Sequence, residues 1–136
     1  MFHYHTHIYL HDTDATGVIY FPNQLRLALE ALENFLRHKA WTFNTLIQAG
    51  YLMPVVHAEA DYMAPLEMLD QIEIAIWLDK IGTSSFTLCF TYYNQTKKIL
   101  AGNAKITHVI TRQDTKRSAP IPEEFKAILL SLVKDT

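Results

Sequence analysis

The chain has 136 residues and a mass of 15.7 kDa, the size of one ordinary domain. Hydrophobic residues make up 49% of it and aromatic residues 12%, enough for a packed core and too much for a disordered chain. Twelve Lys and Arg against fourteen Asp and Glu leave a formal charge of −2, and the absence of a basic block speaks against nucleic acid as a partner. The lone Cys89 excludes a disulfide framework and a thiolate metal cluster. The opening MFHYHTHIYLHD alternates polar and apolar residues, unlike a secretory leader, and no run approaches the roughly 20 apolar residues of a membrane span. The expectation is one cytoplasmic domain over residues 1–136, with no membrane partner.

Phe2 to Leu10 alternates with period two and predicts a strand, with His3, His5 and His7 on one face. The stretch His11 to Gly17 is rich in turn formers. Pro22 then opens a helical pattern to about His38, where Leu25, Ala28, Leu29, Leu32, Phe35 and Leu36 form one apolar stripe. Leu27 and Ala31 lie off that stripe, so the helix is apolar around much of its circumference and is expected to be wrapped by other structure. A short helical or irregular stretch covers Trp41 to Gly50. Residues 54–64, 71–81, 84–94 and 98–111 read as strands with short connections, which predicts antiparallel neighbours. Pro122 can start a terminal helix, with Glu123 and Glu124 in its first turn and Lys134 in its last. The fold expected is α+β: a five-stranded antiparallel sheet curled around one long central helix, with a C-terminal helix. Such a sheet leaves edges and a face open, so association through the sheet is expected.

The stretch HDTDATGVIYFPN (residues 11–23) carries the clearest chemistry. Asp12 and Asp14 sit in a turn just before a helix N-terminus, which offers unsatisfied N–H groups and the positive end of the helix dipole. A carboxylate beside backbone donors suits hydrolysis of an activated ester: one group activates or delivers the nucleophile, the other holds the oxyanion. Two carboxylates there can equally be turn and capping residues.

DTDATGVIYFPN resembles the signature of the 4-hydroxybenzoyl-CoA thioesterase family of hot-dog proteins, and the resemblance runs over nearly the whole chain. PVVHAEADYMAPLEMLDQIEI resembles the family's second and third strands, GTSSF the opening of its fourth, and RQDTKRSAPIPEEF its C-terminal segment. The resemblance implies that Asp14 is the catalytic carboxylate, as nucleophile or as general base on water, while Asp12 supports the turn. It implies that backbone N–H groups near Tyr20 and Phe21 polarise the thioester carbonyl, and that Gly17 gives close approach or a positive φ. Where a related short-chain branch commonly has His, this chain has Phe21, and the resemblance associates an aromatic residue there with members acting on aromatic acyl-CoAs. TDATGVIYF, EALENFL and PVVHAEADYMAP are most similar to the 1,4-dihydroxy-2-naphthoyl-CoA thioesterase group, which serves quinone synthesis.

The remaining candidates divide between chemistry and structure. His57, in a strand pattern, is either satisfied by a neighbour, or a donor to a hydroxylated aryl ring or a pocket wall. Glu30 and Glu33 on the helix read as solvated or paired, with Glu30 the reserve for Asp14's role because some hot-dog thioesterases use a helix Glu. Lys80, Ser84, Ser85, Arg112, Lys116 and Arg117 fall in the regions that the resemblance assigns to CoA contacts. The three N-terminal histidines lack an evident acidic or Cys partner, so no metal and no cofactor are expected. Cys89 reads as core. No Gly-x-Ser-x-Gly elbow and no Gly-rich phosphate loop is present. The function expected is hydrolysis of an aromatic acyl-CoA by a homodimer or homotetramer. The alternatives are a short-chain aliphatic or acyl-carrier-protein thioesterase and a hot-dog module that binds acyl-CoA without cleaving it.

Overall fold

Pro22 opens the central helix α1, Pro22–His38, in a computed structural model that describes residues 1–135. Its inward residues are Gln24, Leu27, Ala28, Ala31, Leu32, Phe35 and Leu36. The buried face is therefore turned from the expected stripe: Leu27 and Ala31 point into the core, and Leu29 is left 43% exposed. The helix stops at Lys39. Ala40 takes a positive φ of 54°, and its N–H and that of Trp41 bond back to the carbonyls of Arg37 and Leu36. This is the pattern by which a left-handed residue satisfies the last helical carbonyls, here without the usual glycine.

Five strands form the main sheet: β1 (Phe2–His7), β3 (Val55–Tyr62), β4 (Gln71–Ile81), β5 (Ser85–Asn94) and β6 (Ile99–Val109). Their order is β1-β4-β5-β6-β3, all antiparallel. The helix α1 packs on the inner face of this sheet, as expected. One neighbour relation differs. The short connection between β3 and β4 does not join paired strands; residues 63–70 carry the chain from one edge of the sheet to a strand beside the other. A connection can be short without being a hairpin when the sheet curls around a helix.

The first strand ends at His7 rather than Leu10 because Leu10–Asp12 form a 3-10 turn, with the Asp12 carboxylate holding the Tyr9 N–H at 2.9 Å. A small second ribbon pairs β2 (Tyr51–Leu52) with β7 (Thr111–Arg112), after the short helix α2 (Phe43–Gln48). The terminal helix α3 is Glu123–Leu130, with both glutamates in its first turn. Its Phe125 stacks on Trp41 at 4.6 Å and meets Phe86 edge-on, sealing one end of the core. Lys134 lies beyond α3, over the Trp77 ring, so it is no part of the helix's last turn.

The first turn of α1 is pinned to the sheet. Buried Gln24 donates from Nε2 to the carbonyls of Asp61 and Asn103, and its own carbonyl accepts the Tyr92 hydroxyl. Gly102 makes this approach possible, since a Cβ there would stand 2.5 Å from the Asp61 oxygen and 2.8 Å from Gln24 Nε2. Among the described residues no helix is long and apolar enough to cross a membrane.

Candidate active site

Asp12 organises the loop. Its side chain is 1% exposed and accepts from the Tyr9 N–H and from Arg26 of α1, while its backbone carbonyl accepts from the Tyr20 N–H (2.8 Å) and Asn23 Nδ2 (2.9 Å). One residue thus ties the 3-10 turn, the following loop and the first turn of α1 together. Asp12 is structural.

Asp14 is the opposite case. It heads a tight turn, closed by the Gly17 N–H on the Asp14 carbonyl, in which Gly17 adopts a φ of 85°. Nothing lies within 4 Å of where a Gly17 Cβ would stand, so the glycine serves the positive φ and not a close approach. The Asp14 carboxylate is exposed. Its Oδ1 accepts the Thr16 hydroxyl at 2.5 Å and the Thr16 N–H at 2.8 Å, and Oδ2 has no partner among the described residues. Hydrogen bonds to the charged form, the Thr16 hydroxyl foremost, hold its pKa below the usual carboxylate range. The turn therefore presents one ionised, unengaged oxygen.

The helix start beside it offers one donor, not two. The Tyr20 N–H is consumed by Asp12, which corrects the expectation that it polarises a substrate carbonyl. The Phe21 N–H has no partner among the described residues, and Pro22 has no N–H to compete. The Phe21 carbonyl accepts the Tyr62 hydroxyl at 2.7 Å, which fixes the C-terminal end of β3 against this corner. The Phe21 ring is 62% exposed and meets Tyr20 edge-on.

Glu30 is engaged elsewhere. It accepts the Tyr4 hydroxyl at 2.7 Å and sits 3.5 Å from Arg26, so it reaches the Asp12–Asp14 turn only through Arg26. Burial, then the Glu30 carboxylate, pushes Tyr4 up to about 12, so Tyr4 stays a donor. Glu33 is exposed. His57 lies exposed on the edge strand, 3.3 Å from Glu59 and five residues from Tyr62, about 17 Å along an extended chain. Lys80, Ser84, Ser85 and Arg117 lie at the other end of the sheet. The Asp14 loop bonds to the chain just before Gln71 at the start of β4, and Lys80 is nine residues on, about 30 Å. One protomer does not bring these residues to Asp14.

Two further readings change. Glu73 of β4 sits 2.9 Å from His3 and 3.6 Å from His5, so those histidines do have an acidic neighbour. Among the described residues no group of three potential ligands could hold a metal ion. Cys89 is buried, but on the sheet's outer face beside Trp77 and Lys105 and outside the main core, with its thiol pushed up by burial. His108, which sequence reasoning passed over, is 3% exposed on the inner face of β6. Its signal was present: Ile106 and His108 of β6, and Ile110 just beyond its end, alternate inward.

A family model for the thioesterase-like superfamily matches residues 8–129. The chain belongs to that superfamily. It is similar to the 1,4-dihydroxy-2-naphthoyl-CoA hydrolase of Synechocystis sp. PCC 6803, at 26% identity over 96% of both chains. The hydrolase of the same name from Thermosynechococcus vestitus is 30% identical over 94% of this chain and 88% of its own. The crystal structure of a 1,4-dihydroxy-2-naphthoyl-CoA thioesterase from Synechocystis superposes with a TM-score of 0.90, at 26% identity and 96% coverage of each chain. The solved structure of a gentisyl-coenzyme A thioesterase gives 0.81 at 25% identity, over 91% of this chain and 98% of the other. The sheet curled around α1 is thus a hot-dog fold.

Proposed function

We propose that the protein is an acyl-CoA thioesterase that hydrolyses an aromatic acyl-CoA, with 1,4-dihydroxy-2-naphthoyl-CoA as its substrate. One observation carries the reading: the turn that leads into a 17-residue helix presents an ionised carboxylate oxygen on Asp14, and the positive end of that helix leaves the Phe21 N–H free. The names of the similar hydrolases support the acyl group. The thioester carbonyl oxygen accepts the Phe21 N–H, which stabilises the negative charge that develops as the carbon becomes tetrahedral. Asp14 Oδ2 attacks that carbon, or takes the proton of the water that does. The C–S bond breaks, the CoA sulfur takes a proton, and water supplies the hydroxyl of the acid. The balance closes with water alone, and no cofactor is called for.

The site is completed by a second copy of the chain. The edge of β1 is short, and the C-terminal residues close on it through Val133 and the Met1 ammonium. The eight-residue edge of β3 is uncovered along its length and carries exposed Val55, Val56 and Tyr62. A bare edge of this kind pairs with another strand. Two-fold pairing is antiparallel and sets the Tyr62 end of one β3 beside the Val55 end of the other. Val55 pairs with His108, whose neighbour Val109 pairs with Ser85, so Ser84, Ser85 and the Arg112–Arg117 turn belong to that end. Pairing therefore carries the CoA-contact candidates of one copy toward Asp14 and Phe21 of the other. Light scattering at micromolar concentration is expected to show a homodimer or homotetramer. A stable, fully active monomer overturns the shared site.

The function is tested by thiol release from a panel of thioesters. 1,4-Dihydroxy-2-naphthoyl-CoA is expected to give the highest kcat/KM, above benzoyl-CoA and well above butyryl-CoA. Preference for an aliphatic thioester overturns the aromatic assignment. Binding without release of thiol from any of them overturns the enzyme assignment.

A further inference from the structure

Beneath the edge strand β3 lies a cavity of about 200 Å3, between α1 and the sheet. Leu25, Leu29, Leu32, Phe90 and Ile106 make its walls apolar. It begins one turn beyond Phe21 and extends along α1 from Leu25 to Leu32, about 10 Å of helix. One polar side chain lines it. That side chain is His108.

The His108 ring is held on two sides. It stacks on Phe86 at 5.1 Å with 14° between the planes, and Nδ1 lies 3.0 Å from the Met53 carbonyl. A carbonyl oxygen only accepts, so Nδ1 carries the proton and the neutral ring leaves Nε2 as a bare acceptor. Burial lowers the pKa of this histidine, which keeps the ring in that neutral form near pH 7. Nε2 has no partner among the described residues, yet no buried side-chain nitrogen or oxygen among them is sealed off without one. With the residue 3% exposed, Nε2 opens onto the cavity. The strand above it is irregular, with a bulge between Val55 and His57 directly over the Val55–His108 pair.

We propose that this cavity holds the aromatic ring of the acyl group and that His108 Nε2 accepts a hydrogen bond from a ring hydroxyl. This rests on the thioesterase reading and deepens it by naming the residue that selects hydroxylated rings. Apolar walls accept the ring, and a single fixed acceptor rewards a donor at one place on it. His57 cannot serve in this way from the same cavity, because its side chain is exposed beside Glu59 on the edge strand. A site built to bond a hydroxyl discriminates against the ring that lacks one, because its acceptor is then left unpaired.

The test compares 1,4-dihydroxy-2-naphthoyl-CoA with 2-naphthoyl-CoA, which has the same ring system without hydroxyls. His108→Phe keeps a ring against Phe86 and removes the acceptor. It is expected to lower kcat/KM for the dihydroxy substrate about tenfold or more relative to the effect on 2-naphthoyl-CoA. His108→Gln, which can place an amide oxygen near the position of Nε2, is expected to recover part of that preference. Melting curves of both variants separate this from misfolding. Equal losses on the two substrates, or no loss on either, overturn the His108 assignment while wild-type turnover keeps the thioesterase reading standing. Should the wild type cleave no aryl thioester, calorimetry with 1,4-dihydroxy-2-naphthoate and 2-naphthoate decides the cavity separately. Tighter binding of the hydroxylated acid that His108→Phe abolishes supports it, and equal binding overturns it.

Discussion

Asp14→Asn lowers kcat by about 100-fold or more and leaves the melting temperature unchanged. Asparagine keeps the size of the side chain, and its Oδ1 can still accept from the Thr16 N–H and hydroxyl, so the turn persists. What disappears is the negative charge and the basicity of the free oxygen. The carboxylate is exposed and held to its own turn alone, so little stability depends on it. The pH profile follows from the same contacts. The group works ionised, and the Thr16 hydrogen bonds stabilise the ionised form, so the acid limb of kcat/KM falls below the ordinary carboxylate range. Activity is thus kept as pH drops from neutrality and is lost only when Asp14 takes up a proton. Near-normal turnover by Asp14→Asn, together with an inactive Glu30→Gln, moves the catalytic carboxylate to the helix.

Asp12→Ala is expected to do the reverse: to destabilise the fold by about 2 kcal/mol and to affect turnover as a consequence. The carboxylate it removes is 1% exposed and satisfies the Tyr9 N–H and Arg26. The alanine leaves the Tyr9 donor without a partner and removes the Arg26 tie to α1, while the backbone carbonyl at position 12 keeps its bonds to Tyr20 and Asn23. Arg26 is partly exposed and still has Glu30 in reach, which limits the loss to less than that of a fully buried pair. Looser tethering of the turn lets the distance between Asp14 and the Phe21 N–H vary, and kcat should fall about tenfold. Urea unfolding followed alongside turnover reads both effects. An Asp12→Ala variant as stable as the wild type would remove Asp12 from the centre of the loop. The two substitutions separate two carboxylates that stand two residues apart, one structural and one chemical.

In the sequence, the residues that make up the proposed catalytic corner were legible because they are contiguous. A turn-forming run, a proline at a helix start and a carboxylate between them are local features. The loop from Asp12 to Phe21 closes on itself through the Asp14–Gly17 turn and the Tyr20–Asp12 bond. The long helix and the strands were legible for the same reason, since the alternation of apolar residues is a property of each segment taken alone. What could not be read locally was how many donors the helix start leaves free. The Tyr20 N–H and the Phe21 N–H look alike in the sequence, and only the folded path of Asp12 shows that one of them is occupied.

The amino-acid sequence by itself determined the class of fold, the central helix, the strands and the Asp14 turn, because each follows from short-range spacing and backbone preference. The tertiary structure alone decided which strands are neighbours, which face of α1 is buried and which histidine faces a cavity. His57 and His108 both sit in alternating strands, and although Ile106 and Ile110 mark the face of His108 as inward, no local spacing shows that a cavity lies beside it. Pairing places β3 at the edge and β6 inside it, so His57 is left beside Glu59 in solvent while His108 is turned inward under Val55. Strand order depends on contacts between segments far apart in the chain, and the curl of one sheet around one helix settles it.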